Sequence, residues 1–223
     1  YYGVGNEYEG VTIASAVFAL AVLLNYKKIS KWLAVVLSLV ILITSAMPSM
    51  GANVGGAISE CVAYLLFILL IFDVKLDLKK IIMIGVATVL VVVAFAGLDF
   101  LMGTESHLAV FTNQIIQEGP AAIFNTFGRK IQMNLKLAKS SVWVNILIVS
   151  IIIIGALIFK PSGYFKKIHD KYPMIFKGFM ASFVGCIVTL LVNDSGIVAA
   201  STAAIYILIP IIIIGINMII FDK

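Results

Sequence analysis

The chain has 223 residues, of which 62% are hydrophobic and 12% are charged, and its formal net charge is +5. These residues carry far too little polar surface to cover a soluble globular domain, so the apolar excess is expected to face lipid. The positive charge does not indicate nucleic acid as a partner, because the lysines lie in short clusters between long apolar runs. The composition therefore predicts an integral membrane protein whose first partner is membrane lipid.

Seven apolar segments predict an all-α, polytopic bundle of about seven transmembrane helices. A hydrocarbon core of about 30 Å needs roughly 20 apolar helical residues per crossing, because unpaired backbone groups in lipid cost several kcal/mol each. The second segment is short and ends at Pro48. In chain order the predicted spans are residues 10–24, 32–47, 55–72, 81–102, 142–159, 173–192 and 197–221.

The distribution of basic residues over the connections predicts the orientation. Most of the 16 Lys and Arg residues lie in the connections after the first, third and fifth spans or near the C-terminus. The short connections around Asn53 and Asp194 contain no Lys or Arg. Because cytoplasmic loops are enriched in Lys and Arg, the N-terminus is expected outside and the C-terminus inside.

The longest connection, residues 103–141, is expected outside the membrane and contains a basic amphipathic segment over residues 121–139. Arg129 and Lys130 lie away from its apolar face. One interpretation is a helix that anchors itself among lipid headgroups. The other is a helix that lines a site, where its cationic side chains recruit anionic groups. The apolar face carries Phe124, Phe127, Ile131, Leu135 and Ala138.

Polar residues that are costly inside a membrane gather near the predicted outer face. Glu60 lies inside the third span, where a buried charge costs about 2.5–3.5 kcal/mol at the membrane centre and needs a partner or a proton. Asn53 lies in the glycine-rich segment 51–56, whose small residues equally favour helix packing. Asn193 and Asp194 begin a very short connection, in which Asp194 either caps the last helix or lines a polar pocket.

The N-terminal stretch adds Asn6 and Glu7, between glycines that favour a tight, non-helical approach to the first span. Catalytic motifs are mostly absent: the chain has no His-Glu-x-x-His, P-loop or dinucleotide-binding glycine pattern. Its two histidines, His107 and His169, are expected on opposite sides of the membrane. We therefore expect no metal centre and no cofactor, and the sequence identifies no catalytic residue.

Four short motifs in the same order resemble a known family. They are residues 2–8 (YGVGNEY), residues 51–56 (GANVGG), Arg129-Lys130 with Asn134, and residues 193–196 (NDSG). The family is the C-terminal membrane region of uncharacterised bacterial multi-pass proteins, some of which carry an extracytoplasmic domain similar to alkaline phosphatases. The resemblance implies a location in the bacterial cytoplasmic (inner) membrane and names no reaction.

The family pattern has an Asp where this chain has Asn53, which weakens a proton- or cation-binding role at that position. Together, the motifs and the costly polar residues give one set of candidate substrate-binding residues. The set is Asn6, Glu7, Asn53, Glu60, Arg129, Lys130, Asn134, Asn193 and Asp194.

Three functions remain open from the sequence. The leading hypothesis is transport or handling of an anionic or lipid-linked substrate in the bacterial envelope, by an outward-facing polar site that includes Arg129 and Lys130. The second is the membrane part of an extracytoplasmic enzyme acting on envelope or lipid-linked substrates. Its catalytic domain would precede Tyr1, since the chain begins without Met and is expected to be a fragment of a longer protein. The third is a structural anchor or assembly subunit in a homo-oligomer or larger membrane complex.

Overall fold

The computed structural model describes residues 3–47, 49–102, 107–119, 121–161 and 164–221, and the regular structure in these ranges is entirely α-helical. In chain order the helices are α1 (Asn6–Asn25), α2 (Lys31–Ala46), α3 (Val54–Ile71), α4 (Leu78–Met102), α5 (His107–Glu118), α6 (Ala121–Ser140), α7 (Trp143–Phe159), α8 (Tyr164–Lys171), α9 (Pro173–Val192) and α10 (Gly196–Phe221).

Four of these helices, α1, α4, α9 and α10, are long and apolar enough to cross a membrane. A fifth crossing is counted if α6 and α7, which meet at an angle of 101°, form one broken span. The α2 and α3 helices are apolar but shorter. At 1.5 Å per residue the 16 residues of α2 extend only about 24 Å. The fold is therefore that of a membrane-embedded helical protein.

Each of the seven predicted apolar segments is helical, but the boundaries and the number of helices differ from the prediction. The α1 helix begins at Asn6, about one turn before the predicted start at residue 10. Glu9 consequently belongs to the helix and lies on the same face as Ile13 and Val17. Two helices, α5 and α8, were not predicted, and α6 matches the predicted amphipathic segment.

Helices α1 and α9 lie at the centre of the bundle, because each packs against both α3 and α10. Small residues allow these backbones to approach closely. A Cβ atom on Gly178 of α9 would lie 2.6 Å from the Cβ of Ala21, and one on Gly185 would lie 2.8 Å from the Cβ of Ala63. The α10 helix contributes a matching seam of buried alanines, Ala199, Ala200, Ala203 and Ala204.

Charged residues hold the helix ends together at one end of the bundle. Asp73 follows α3 and accepts a hydrogen bond of 2.5 Å from the ammonium group of Lys177 in α9, and Lys31 of α2 lies 3.5 Å from its other oxygen. The hydrogen bond from Lys177 and its positive charge hold the pKa of Asp73 below the usual value. The connections around Asn53 and Asn193, which contain no Lys or Arg, lie at the opposite end.

The close packing of α1 against α10 predicts opposite effects for two glycine substitutions. A Cβ atom on Gly10 would collide with the Ala199 carbonyl oxygen and the Thr202 hydroxyl, whereas one on Gly85 of α4 would meet nothing within 4 Å. We expect Gly10→Ala to lower the free energy of unfolding by about 1–3 kcal/mol through overpacking. Gly85→Ala should be neutral or stabilising by up to about 1 kcal/mol, through helix propensity. Thermal unfolding in detergent measures both, and equal effects would contradict this packing.

Candidate functional site

A buried carboxylate, Glu9, is the centre of a hydrogen-bond network that joins α1, α3 and α9. Its side chain is fully buried. Asn193 donates from its side-chain amide to both Glu9 oxygens, at 2.7 and 2.8 Å. Asn53 donates to Oε2 at 3.2 Å, and the Thr189 hydroxyl donates to Oε1. Donors from two other helices therefore satisfy the carboxylate in an apolar interior.

The two asparagines are held in place because each occupies the end of a helix. Asn53 is the N-cap of α3 and accepts a hydrogen bond of 2.7 Å from the Gly56 backbone amide, which leaves its side-chain amide free to donate. That amide also donates to the Val4 carbonyl at 3.0 Å. Asn193 follows α9, and its side chain packs directly against Gly55, where a Cβ atom would collide with it. An Asp at position 53 could not donate to Glu9 when ionised.

Glu60, about two turns into α3, is a second fully buried carboxylate. The Ser45 hydroxyl of α2 donates to its Oε1 at 2.9 Å. Its Oε2 has no hydrogen-bond partner in the described part of the chain, and the same holds for the hydroxyl of Tyr64, one turn later on α3. The two buried carboxylates thus differ in their hydrogen bonding, because Glu9 has donors from three of the described residues and Glu60 from one.

The α6 helix covers the turn between α9 and α10 with polar side chains. The ammonium group of Lys130 donates to the Val192 carbonyl at 2.6 Å and lies 3.6 Å from a carboxylate oxygen of Asp194. Asn134 donates to the Asn193 carbonyl at 2.9 Å and accepts from the Ile197 backbone amide at 3.2 Å. Asn134 therefore satisfies backbone groups that the ends of both helices leave unpaired.

Arg129 points elsewhere and lines a shallow cavity of about 230 Å³ between α5 and α6. The apolar face of α6, on the other side of the helix, is not covered by protein, since Phe124 is 78% exposed and Ile131 is 55% exposed. Arg129 and the exposed apolar surface thus lie on different sides of the same helix. The cavity is lined by Gln114, Glu118, Ala122, Asn125, Thr126 and Arg129.

The candidate residues consequently lie in separate places and do not surround one cavity. Asn53, Glu60 and Asn193 lie at the buried carboxylates, whereas Lys130, Asn134 and Asp194 form the contact between α6 and the turn. The Glu7 side chain is exposed, and its backbone carbonyl accepts a hydrogen bond from Thr202 at 3.1 Å. Asn6 is partly buried at the start of α1.

Sequence reasoning missed Glu9, which has more hydrogen bonds than any predicted candidate acid. The prediction began the first span at residue 10 and left Glu9 in the approach to it. Its spacing of four residues from Ile13, and of eight from Val17, was the available signal for a place on the buried helix face. Thr189 likewise lies one turn before Asn193 on α9.

The chemistry of this site is that of carboxylate, amide and hydroxyl groups. Among the described residues, no group of three or more His, Cys, Asp or Glu side chains is placed to hold a metal ion. No family model, curated protein or solved structure matches this chain. The function proposed below therefore depends on the geometry of these groups.

The Glu9 network predicts a strong coupling between Glu9 and Asn193. Asn193→Ala removes the donor to both carboxylate oxygens, and we expect the free energy of unfolding to fall by about 2–4 kcal/mol because a buried charge loses its donors. In a Glu9→Gln background the same substitution should cost at least about 1 kcal/mol less. Unfolding in mixed detergent micelles measures the double-mutant cycle. Equal costs in the two backgrounds would show that Asn193 acts by packing alone.

Proposed function

We propose that this chain is the membrane domain of a bacterial cytoplasmic-membrane protein that transports or handles an anionic or lipid-linked substrate at the outer face. The observation that carries the proposal is the position of Arg129, which lines an open polar cavity on a helix whose opposite face is apolar and exposed. A phosphate or carboxylate headgroup fits a guanidinium group, and the apolar face of the same helix suits contact with acyl or prenyl chains.

The geometry of α6 supports the same proposal. Its axis turns by 101° from α7, so α6 runs along the membrane surface if α7 crosses the membrane. Lys130 and Asn134 anchor it to the turn between α9 and α10. Arg129 remains exposed and available to a ligand. The two interpretations of the amphipathic segment, lipid anchor and site-lining helix, are therefore compatible in one helix.

The proposed topology has seven crossings, formed by α1, α2, α3, α4, α7, α9 and α10, with the N-terminus outside and the C-terminus inside. The lysine distribution supports this orientation. The end of the bundle with Lys31, Asp73 and Lys177 would then face the cytoplasm, and the Asn53 and Asn193 end would face outward. The short helices α2 and α3 would be accommodated by local thinning of the bilayer.

Cysteine labelling tests this orientation. Ser49 and Leu76 lie on exposed connections at opposite ends of the bundle, and the native Cys61 and Cys186 are buried. We expect an impermeant thiol reagent to label Ser49→Cys in intact cells and to label Leu76→Cys only after permeabilisation. Labelling of both variants in intact cells would contradict the seven-span topology.

Binding of a lipid-linked anion tests the role of Arg129. Replacing the guanidinium by a neutral amide in Arg129→Gln should weaken binding of polyprenyl phosphate by about tenfold, the loss expected for a charge-assisted hydrogen bond. Native mass spectrometry of the detergent-solubilised protein measures this binding, with zwitterionic phosphatidylcholine, which has no net charge, as the reference lipid.

Lys139→Gln is the matched control, because it removes the same charge from an exposed position on the same helix. It should change the affinity by less than about twofold. Equal weakening by the two substitutions would indicate general attraction to a basic helix, and unchanged binding by Arg129→Gln would rule out a site at Arg129.

A further inference from the structure

Glu60 and Tyr64 leave two polar atoms without a partner inside the bundle. The Glu60 side chain is 0% exposed and Tyr64 is 2% exposed, and both belong to α3, one turn apart. Glu60 Oε2 and the Tyr64 hydroxyl have no hydrogen-bond partner among the described residues. Their spacing of four residues puts the two side chains on the same face of α3. An unpaired buried carboxylate oxygen costs free energy unless something binds it.

The surroundings of Glu60 contain negative charge without a matching positive group. From α1, Glu9 acts on it repulsively, and from α2, Ser45 contributes only a neutral hydroxyl. Within the described part of the chain, neither carboxylate forms an ion pair with a basic side chain. Asn193 and Thr189 of α9 are neutral and donate to Glu9. Glu9 therefore has several hydrogen-bond donors, whereas a negative charge on Glu60 would have, among the described residues, no positive partner and only the Ser45 hydroxyl as a donor.

An open cavity lies next to the residue that contacts Glu60. An open cavity of about 250 Å³ extends to Ser45, whose hydroxyl contacts Glu60 directly. The described residues that line the cavity contribute hydroxyl groups and no basic side chain. It therefore suits a small cation better than an anion. Its lining is Val4, Thr12, Ile41, Thr44, Ser45, Met50 and Gly51.

We propose that Glu60 and the Tyr64 hydroxyl bind one small monovalent cation, which enters past Ser45 and neutralises the Glu9–Glu60 pair. Carboxylate and phenolic oxygens are hard donors that suit a proton or Na⁺. The site deepens the proposed function, since a bound cation on a transport domain is a natural coupling ion. Cation binding at this site nevertheless depends only on these residues and does not require the substrate.

Thermal unfolding of the full chain in detergent tests the site, because a ligand that binds only the folded state raises Tm. One arm compares NaCl with choline chloride at equal ionic strength and pH 8. The other arm lowers the pH from about 8 to about 5 in choline chloride. If Glu60 holds a proton in the folded state but not in the unfolded state, lowering the pH raises the free energy of unfolding. We expect a rise of roughly 5 °C in one arm, at a hundredfold excess of cation over its Kd. The responding arm identifies the cation.

Glu60→Gln keeps the side-chain shape and removes the need for a cation, so the responding arm should become flat. Glu7→Gln, which neutralises an exposed acid of α1, should retain the wild-type response. Tyr64→Phe keeps the carboxylate and should raise the half-effective cation concentration several-fold, which keeps the test decisive if Glu60→Gln fails to fold. A wild-type Tm that responds in neither arm, or a Glu60→Gln protein that still responds, overturns the proposal. Either failure would leave the Arg129 lipid-binding test unaffected.

Discussion

Desolvation of the Glu9 carboxylate is the constraint on which the end of the bundle with Asn53 and Asn193 depends. A carboxylate in an apolar interior is tolerated only if donors or a positive charge surround it, and Glu9 receives its donors from Asn53, Asn193 and Thr189. Because these donors belong to α3 and α9, the hydrogen bonds of this one side chain hold α1, α3 and α9 in register with one another. The network thereby also places the N-terminal segment, since Asn53 holds the Val4 carbonyl.

Glu60, the second buried carboxylate, has an incomplete set of hydrogen-bond donors. Glu60 has one donor, Ser45, and shares its surroundings with Glu9. A fully paired polar group stabilises a fold, whereas a partly paired one costs free energy that a ligand can recover. The two acids are therefore expected to differ in role: Glu9 holds helices together, and Glu60 binds a cation. We therefore expect a change of charge on one of the two carboxylates to change the electrostatic free energy of the other.

The α6 helix is joined to this arrangement through the turn between α9 and α10. Asn134 joins the Asn193 carbonyl to the α10 terminus, so the helix that presents Arg129 is anchored to the residue that donates to Glu9. The substrate site proposed at Arg129 and the buried acids are thus joined by a short chain of hydrogen bonds. Such a connection could couple the two sites if the turn has two arrangements. The apolar face of α6 is exposed, and in the proposed topology it contacts lipid.

The sequence by itself determined the helical membrane class and the positions of the apolar helices and the amphipathic helix, because hydrophobicity and its period are local properties. It also indicated that Glu60 needed compensation. Only the tertiary structure decided which polar groups meet. Glu9 became central because α1 starts at Asn6 and turns Glu9 toward Asn193, which is 184 residues away along the chain. Arg129 and Lys130 are neighbours in sequence, yet helix geometry directs Lys130 to the turn and Arg129 to the open cavity.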